Sequence, residues 1–235
     1  MIKTAKALST MLLTLLLSWS SISVASIPRA DVWLALGAEL SLGDEVAHTR
    51  IDEELHWLRS HPEYLARVTR RAQPYIHYVY SRVREAGLPA EIALLPIVES
   101  AYDPFAYSPG RAAGLWQFIP ATGRQFGLRQ DWWYDGRRDV VASTDAAIAY
   151  LSQLHGRFDD WMLALAAYNA GQARVARAIK KNSRKDLGTD YWSLALPKET
   201  VRYVPRLLAI AKVLAEPEKY GVELTPVVNM RYFEA

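Results

Sequence analysis

The sequence predicts an all-α protein. Apolar residues recur at helical spacing along most of its 235 residues, Gly and Pro punctuate those stretches, and only one segment near the end reads as extended. There is no internal repeat, low-complexity tract or Gly/Ser linker, so one domain with a short lead-in is expected.

Residues 1–25 read as a signal peptide. Lys3 and Lys6 precede an apolar run from Leu8 to Trp19, and Ser23, Val24 and Ala25 supply small residues for cleavage. The run is too short to span a bilayer comfortably, and no later segment is apolar enough to do so. Residues 26–60 form the lead-in, with Ile51, Leu55 and Leu58 on one helix face ending before Pro62.

Residues 61–216 form the main domain. Ala72, Ile76, Val79 and Val83 make a second stripe that ends at Gly87, with Pro74 kinking or restarting the helix. Pro89 suits a first helical turn and predicts one helix from Ala90 through Glu99. The loop from Tyr102 to Gly114 contains Pro104, Pro109 and Gly110.

Asp139 is a plausible N-cap for a helix carrying Val141, Ile148, Leu151 and Leu154. Trp161, Leu165 and Tyr168 share one face of the next helix, which Asn169, Ala170 and Gly171 break. Val175 and Ile179, then Val204, Leu207, Ala211 and Leu214, mark the inner faces of two more. The tail, residues 217–235, is extended from Val222 to Phe233.

Bulk properties exclude several classes. Removing Lys3 and Lys6 brings the formal charge of +3 close to neutral, and charges of both signs are interspersed, so nucleic-acid binding is not expected. Lys180, Lys181, Arg184 and Lys185 read as a solvated helix end. The absence of cysteine excludes disulfides, thiolate metal sites, a cysteine nucleophile and lipid attachment at a leader cysteine.

The five histidines lack metal-ligand spacing, and Asp131, Asp135 and Asp139 read as caps and turn formers rather than a calcium loop. No phosphate loop or serine elbow appears, and no cofactor is expected.

Glu99 is the outstanding residue. With Ile92 and Leu95 at the preceding helical spacings, it falls on the apolar stripe. Burial without a cationic partner disfavours the carboxylate and raises its pKa, which suits a general acid. Pro96 denies Ile92 a backbone partner and loosens the turn before it. On this pattern alone, Glu99 could equally end its helix facing solvent or pair with Arg111.

Three blocks carry a family resemblance: Glu99-Ser100-Ala101-Tyr102-Asp103-Pro104, Gly114-Leu115-Trp116-Gln117-Phe118 and Ala166-Ala167-Tyr168-Asn169-Ala170-Gly171. In this order and spacing they resemble the soluble-lytic-transglycosylase (SLT) domain of glycoside hydrolase family 23. Leu95 through Ser100, Gly114 through Gly123 and Trp132 through Asp139 are similar to a membrane-bound subgroup, and the likeness runs from about Trp57 to about Leu214.

The resemblance implies a lysozyme-like helical domain with a glycan-binding cleft. It implies cleavage of the β-1,4 bond between N-acetylmuramic acid and N-acetylglucosamine in peptidoglycan without water, leaving 1,6-anhydro ends. It also implies a periplasmic enzyme working on glycan strands.

In that scheme Glu99 is the single acid and base, Ser108 bonds the acetamido region and Gln117 a neighbouring sugar. Tyr168 and Asn169 line the cleft opposite the acid, and Lys198-Glu199-Thr200 with Tyr203 resembles the final block, where Glu199 and Tyr203 close it. A second carboxylate usually serves glycoside hydrolysis, but the nearest, Asp103, reads as a turn residue.

Trp116, Trp132, Trp133, Tyr134 and Tyr168 could stack on sugar rings, and core packing explains each equally well. The likeness departs from the subgroup in lacking a leader cysteine and wall-binding LysM repeats, so anchoring is not expected. Two alternatives stay open at this point: a hydrolytic goose-type muramidase and a non-catalytic wall-binding protein.

Overall fold

The computed structural model describes residues 31–230 and 232–233; the proposed signal peptide lies outside them. Ten α-helices are present among the described residues: α1 Val32–Gly37, α2 Thr49–Ser60, α3 Pro62–Ala72, α4 Ile76–Glu85, α5 Leu95–Ser100, α6 Pro120–Gln125, α7 Val140–Phe158, α8 Trp161–Ala170, α9 Gln172–Ser183 and α10 Lys198–Ala215. Short 3-10 turns span Ala90–Leu94, Tyr191–Ser193 and Pro217–Tyr220. No strand forms among the described residues, only isolated bridges such as Asp31 with Val228. The class is all-α, as the periodicity predicts, and no helix among the described residues is long and apolar enough to cross a membrane.

The helix starts follow elementary capping chemistry. Asp139 accepts from Ala142 N at 2.9 Å and Asp160 from Leu163 N at 2.7 Å, satisfying N–H groups that have no partner within α7 and α8. Pro62 tops α3, where its missing N–H costs nothing. Pro74 does restart the chain: α3 ends at Ala72 and α4 begins at Ile76.

Three expectations are corrected. The single helix expected from Ala90 through Glu99 is a 3-10 turn followed by α5, because Pro96 has no N–H for an i→i−4 bond and itself opens α5. Only the end of α3, at Ala72 before Pro74, was expected; it starts at Pro62, which reads as a terminator as readily as a start, and Leu65 and Val68 bury its inner face. Helix α8 is not one-sided: Leu163, Ala164, Leu165, Ala166 and Ala167 are all buried, so it runs through the middle of the domain.

Around α8 pack α7, α9 and α10, while α10 also lies along α2 and against α1. Small residues on α8 allow these close approaches. Two acids buried against this frame also went unforeseen. Glu91, 1% exposed, accepts from Ser41 N and Leu42 N, both at 2.7 Å. Glu54, 2% exposed, is met by Arg202 at 2.7 Å and Arg206 at 3.4 Å. Both tie the lead-in to the helical core.

Candidate active site

A cleft of about 610 Å³ opens between the end of α5, the 108–122 segment, the end of α8 and the start of α10. Glu99, Ser108, Gln117, Tyr168, Asn169, Glu199 and Tyr203 all line it. Every site residue expected from the sequence is therefore in one place.

Glu99 is half-buried at the last turn of α5, and Tyr203 from the first turns of α10 donates to its Oε1 at 2.5 Å. Burial pushes its pKa up from 4.5 to about 7; the bond from Tyr203 pulls the other way, and the negative charge of Glu199 adds to the rise. No Lys or Arg forms an ion pair with it among the described residues, and Arg111 is not its partner. A carboxyl poised this way exchanges its proton near neutral pH.

What distinguishes Glu99 from Glu54 and Glu91 is its outlook. Those acids are engaged by arginines or backbone amides, whereas Glu99 lines the cleft with one phenol donating to it. Burial and then the charge of Glu99 hold the Tyr203 pKa well above 10, so the phenol remains a donor. The same two causes hold up the pKa of Tyr168, whose hydroxyl donates to Trp116 O at 2.8 Å.

Behind Glu99 the backbone is strained. Ala101 (φ 52°) and Tyr102 (φ 58°) both adopt the left-handed region, which costs a residue with a Cβ roughly 1 kcal/mol or more each. The turn persists because Tyr102 is buried and donates to Ala93 O at 2.7 Å, while Ser100 Oγ ties it to Leu115 O at 2.9 Å. Gln117 (φ 48°) is a third such residue on the cleft wall. Its Nε2 donates to Gly114 O at 2.8 Å and to Ala106 O at 3.4 Å, which fixes the side chain on that wall.

That wall is held from behind by Arg137, which is 6% exposed. It pairs with Asp135 at 2.7 Å and donates to Arg111 O at 2.7 Å and Phe118 O at 3.1 Å. Gly114 (φ 82°) is required there, since a Cβ would lie 1.7 Å from Arg137 O.

Across the cleft, Thr200 donates to Asn169 Oδ1 at 2.7 Å and Asn169 Nδ2 donates to Glu199 Oε1 at 3.3 Å. These two contacts settle the orientation of the amide. Ser108 Oγ accepts from Ala112 N at 3.0 Å, which shapes its turn.

The aromatic candidates divide. Tyr168 lines the cleft; Trp116 is fully buried, its Nε1 bonded to Thr144, so it belongs to the core. Trp132 and Trp133 are 88% and 90% exposed on a turn outside the cleft lining. Asp131 accepts from Trp133 N and Tyr134 N, and Asp103 from Phe105 N, so both acids serve turns as expected. No cluster of His, Asp or Glu among the described residues could hold a metal.

Residues 80–190 match the family model described as Transglycosylase SLT domain. The chain is 46% identical over 207 residues to membrane-bound lytic murein transglycosylase D of Escherichia coli, covering 88% of this chain and 46% of that protein. It is 29% identical over 153 residues to membrane-bound lytic murein transglycosylase F of Desulfosudis oleivorans, covering 53% of this chain and 32% of that one. The chain thus spans less than half the length of these relatives. Among solved structures, an inactive mutant of lytic transglycosylase Slt from Pseudomonas aeruginosa matches with a TM-score of 0.44 and 28% identity, over 62% of this chain and 24% of that one.

Proposed function

We propose, on the premise that residues 80–190 match the Transglycosylase SLT domain, that the chain is a lytic murein transglycosylase. It cleaves the β-1,4 bond between N-acetylmuramic acid and N-acetylglucosamine and leaves 1,6-anhydro ends. The observation that carries this reading is Glu99, a half-buried carboxyl with a pKa near 7, facing a cleft with a phenol donating to it.

Glu99, protonated when glycan binds, gives its proton to the glycosidic oxygen as the bond from the muramyl C1 breaks. The substrate's own acetamido oxygen shares the positive charge left on C1. The muramyl 6-hydroxyl then attacks C1 and passes its proton to the Glu99 carboxylate, which restores the acid. No water is consumed. Tyr203 stabilises the charged form between the two proton transfers, when the carboxylate exists.

Glu199 is a second carboxylate in the cleft, but it accepts from Asn169, and its role in this reading is to orient that amide and raise the pKa of Glu99. Ser108 and Gln117 contact the acetamido group and a neighbouring sugar, and Tyr168 and Asn169 form the facing wall. Residues 61–216 are the catalytic unit, with 26–60 as lead-in and 217–235 as tail. The reading places the enzyme in the periplasm after removal of residues 1–25, on peptidoglycan strands.

The test is mass spectrometry of sacculi digested with the purified chain. Anhydromuramyl ends are expected, and Glu99→Gln should abolish them. Reducing ends would assign a muramidase instead, and intact sacculi that still retain the protein would assign a binding role.

A further inference from the structure

Helix α9 is unusual in its charge. Between Gln172 and Ser183 it carries Arg174, Arg177, Lys180 and Lys181 and no acid. Cations three and four apart on a helix repel one another, yet none of these four makes an ion pair among the described residues. Lys180 and Lys181 lie in the last turn, where cations complement the carbonyl end of the helix, but Arg174 and Arg177 lie in its first half without that compensation.

The structure also supplies a place for an anion. A pocket of about 290 Å³ continues the main cleft, sharing Thr122, Tyr150, Ala170 and Gly171 with it, and Arg174 and Arg177 line its far side. No Asp or Glu lines this pocket, whereas both cleft carboxylates, Glu99 and Glu199, belong to the main chamber. The other arginines at the cleft are spoken for, Arg202 by Glu54 and Arg206 by Glu54 and the ring of Trp57. An anionic group entering with the substrate thus meets, beside the chamber of Glu99, two guanidinium groups that no carboxylate engages among the described residues.

Peptidoglycan offers such a group: its muramyl sugars bear short peptides that carry free carboxylates. Resting on the transglycosylase reading, we infer that Arg174 and Arg177 form a subsite for the carboxylates of the stem peptide on the bound glycan. Guanidinium forks match carboxylates in charge and geometry. The subsite makes the chain prefer peptide-bearing glycan to bare glycan.

The test compares the purified chain with an Arg174→Ala/Arg177→Ala variant on two substrates: uncrosslinked glycan bearing stem peptides, and the same glycan after the peptides are removed enzymatically. The ratio of kcat/KM on the first to that on the second should fall roughly five- to tenfold, through KM. Calorimetric titration with a soluble muramyl peptide should show the same loss of affinity, and Arg174→Lys/Arg177→Lys should restore part of it. An unchanged ratio, or an equal fall on both substrates, overturns the inference. So does unchanged muramyl-peptide affinity accompanied by weaker cosedimentation with anionic phosphatidylglycerol vesicles, which would assign α9 to a lipid surface. If the wild type cleaves neither substrate, the transglycosylase reading fails by itself, and the muramyl-peptide titration still decides the role of the two arginines.

Discussion

Tyr203 and Glu99 are 104 positions apart in the chain and meet at 2.5 Å, phenol to carboxylate, on the floor of the cleft. One belongs to α10 and the other to the end of α5, so the contact exists only when both helices are docked. It sets two opposing tendencies against each other, burial raising the acid's pKa and the phenol's hydrogen bond lowering it.

Tyr203→Phe should shift the pH dependence of cleavage upward. Removing a bond to the charged form leaves burial and Glu199 unopposed, so the pKa of Glu99 rises beyond about 7. The alkaline limb of the pH–rate profile then moves to higher pH, and the maximal rate falls on the order of tenfold as the intervening carboxylate loses its donor. A limb that stays in place would show that the phenol does not govern this proton.

Glu99→Gln should be more stable than the wild type at alkaline pH. A carboxyl whose pKa rises on folding, from 4.5 to about 7, keeps its proton in the folded state while the unfolded chain loses it. The wild type therefore loses stability as pH climbs between those values, and none of the loss is present below 4.5. Urea denaturation should favour the variant by about 2 kcal/mol at pH 8, with the gap closing by pH 4.

Asp135→Ala should destabilise the protein by about 3 kcal/mol, because Arg137 is left as a buried cation without its partner. Arg137 also braces Arg111 O and Phe118 O, so the cleft wall loosens and KM rises with the loss. Thermal denaturation and kinetics on solubilised glycan measure the two effects.

Gly114→Ala should cost about 3 kcal/mol or more, since its Cβ would stand 1.7 Å from a backbone oxygen at a φ of 82°. Denaturant titration checks the magnitude. A loss below about 1 kcal/mol would mean that the 114 and 137 segments separate easily.

Much of this protein is written locally. Asp139 as N-cap, Pro74 as restart and the stripes of α7 and α10 depend on neighbours three or four residues away, and the chain carries those signals openly. Glu99 could be singled out for the same reason, by the apolar residues one and two turns before it. Short elements and double meanings were harder. Pro62 reads as an end and is a beginning, and six-residue α6 has too few positions to display a period.

Long-range pairing stayed illegible. Glu54 and Arg202 lie 148 positions apart, so the buried acid looks like any surface residue of α2 until α10 is laid beside it. Trp116 carries an aromatic face fit for sugar, but it points inward to Thr144, a choice that only the packing of α7 makes.

The sequence by itself determined the helical class, the motif blocks and Glu99 as an acid on an apolar stripe, because these rest on residues close together in the chain. Tertiary structure decided which acids are spent on arginines and amides, which one faces a cleft, and that unpaired cations of α9 border an extension of it. Charge and hydrogen-bond partners drawn from distant helices govern a carboxyl's proton affinity, and they come together only when the chain has folded.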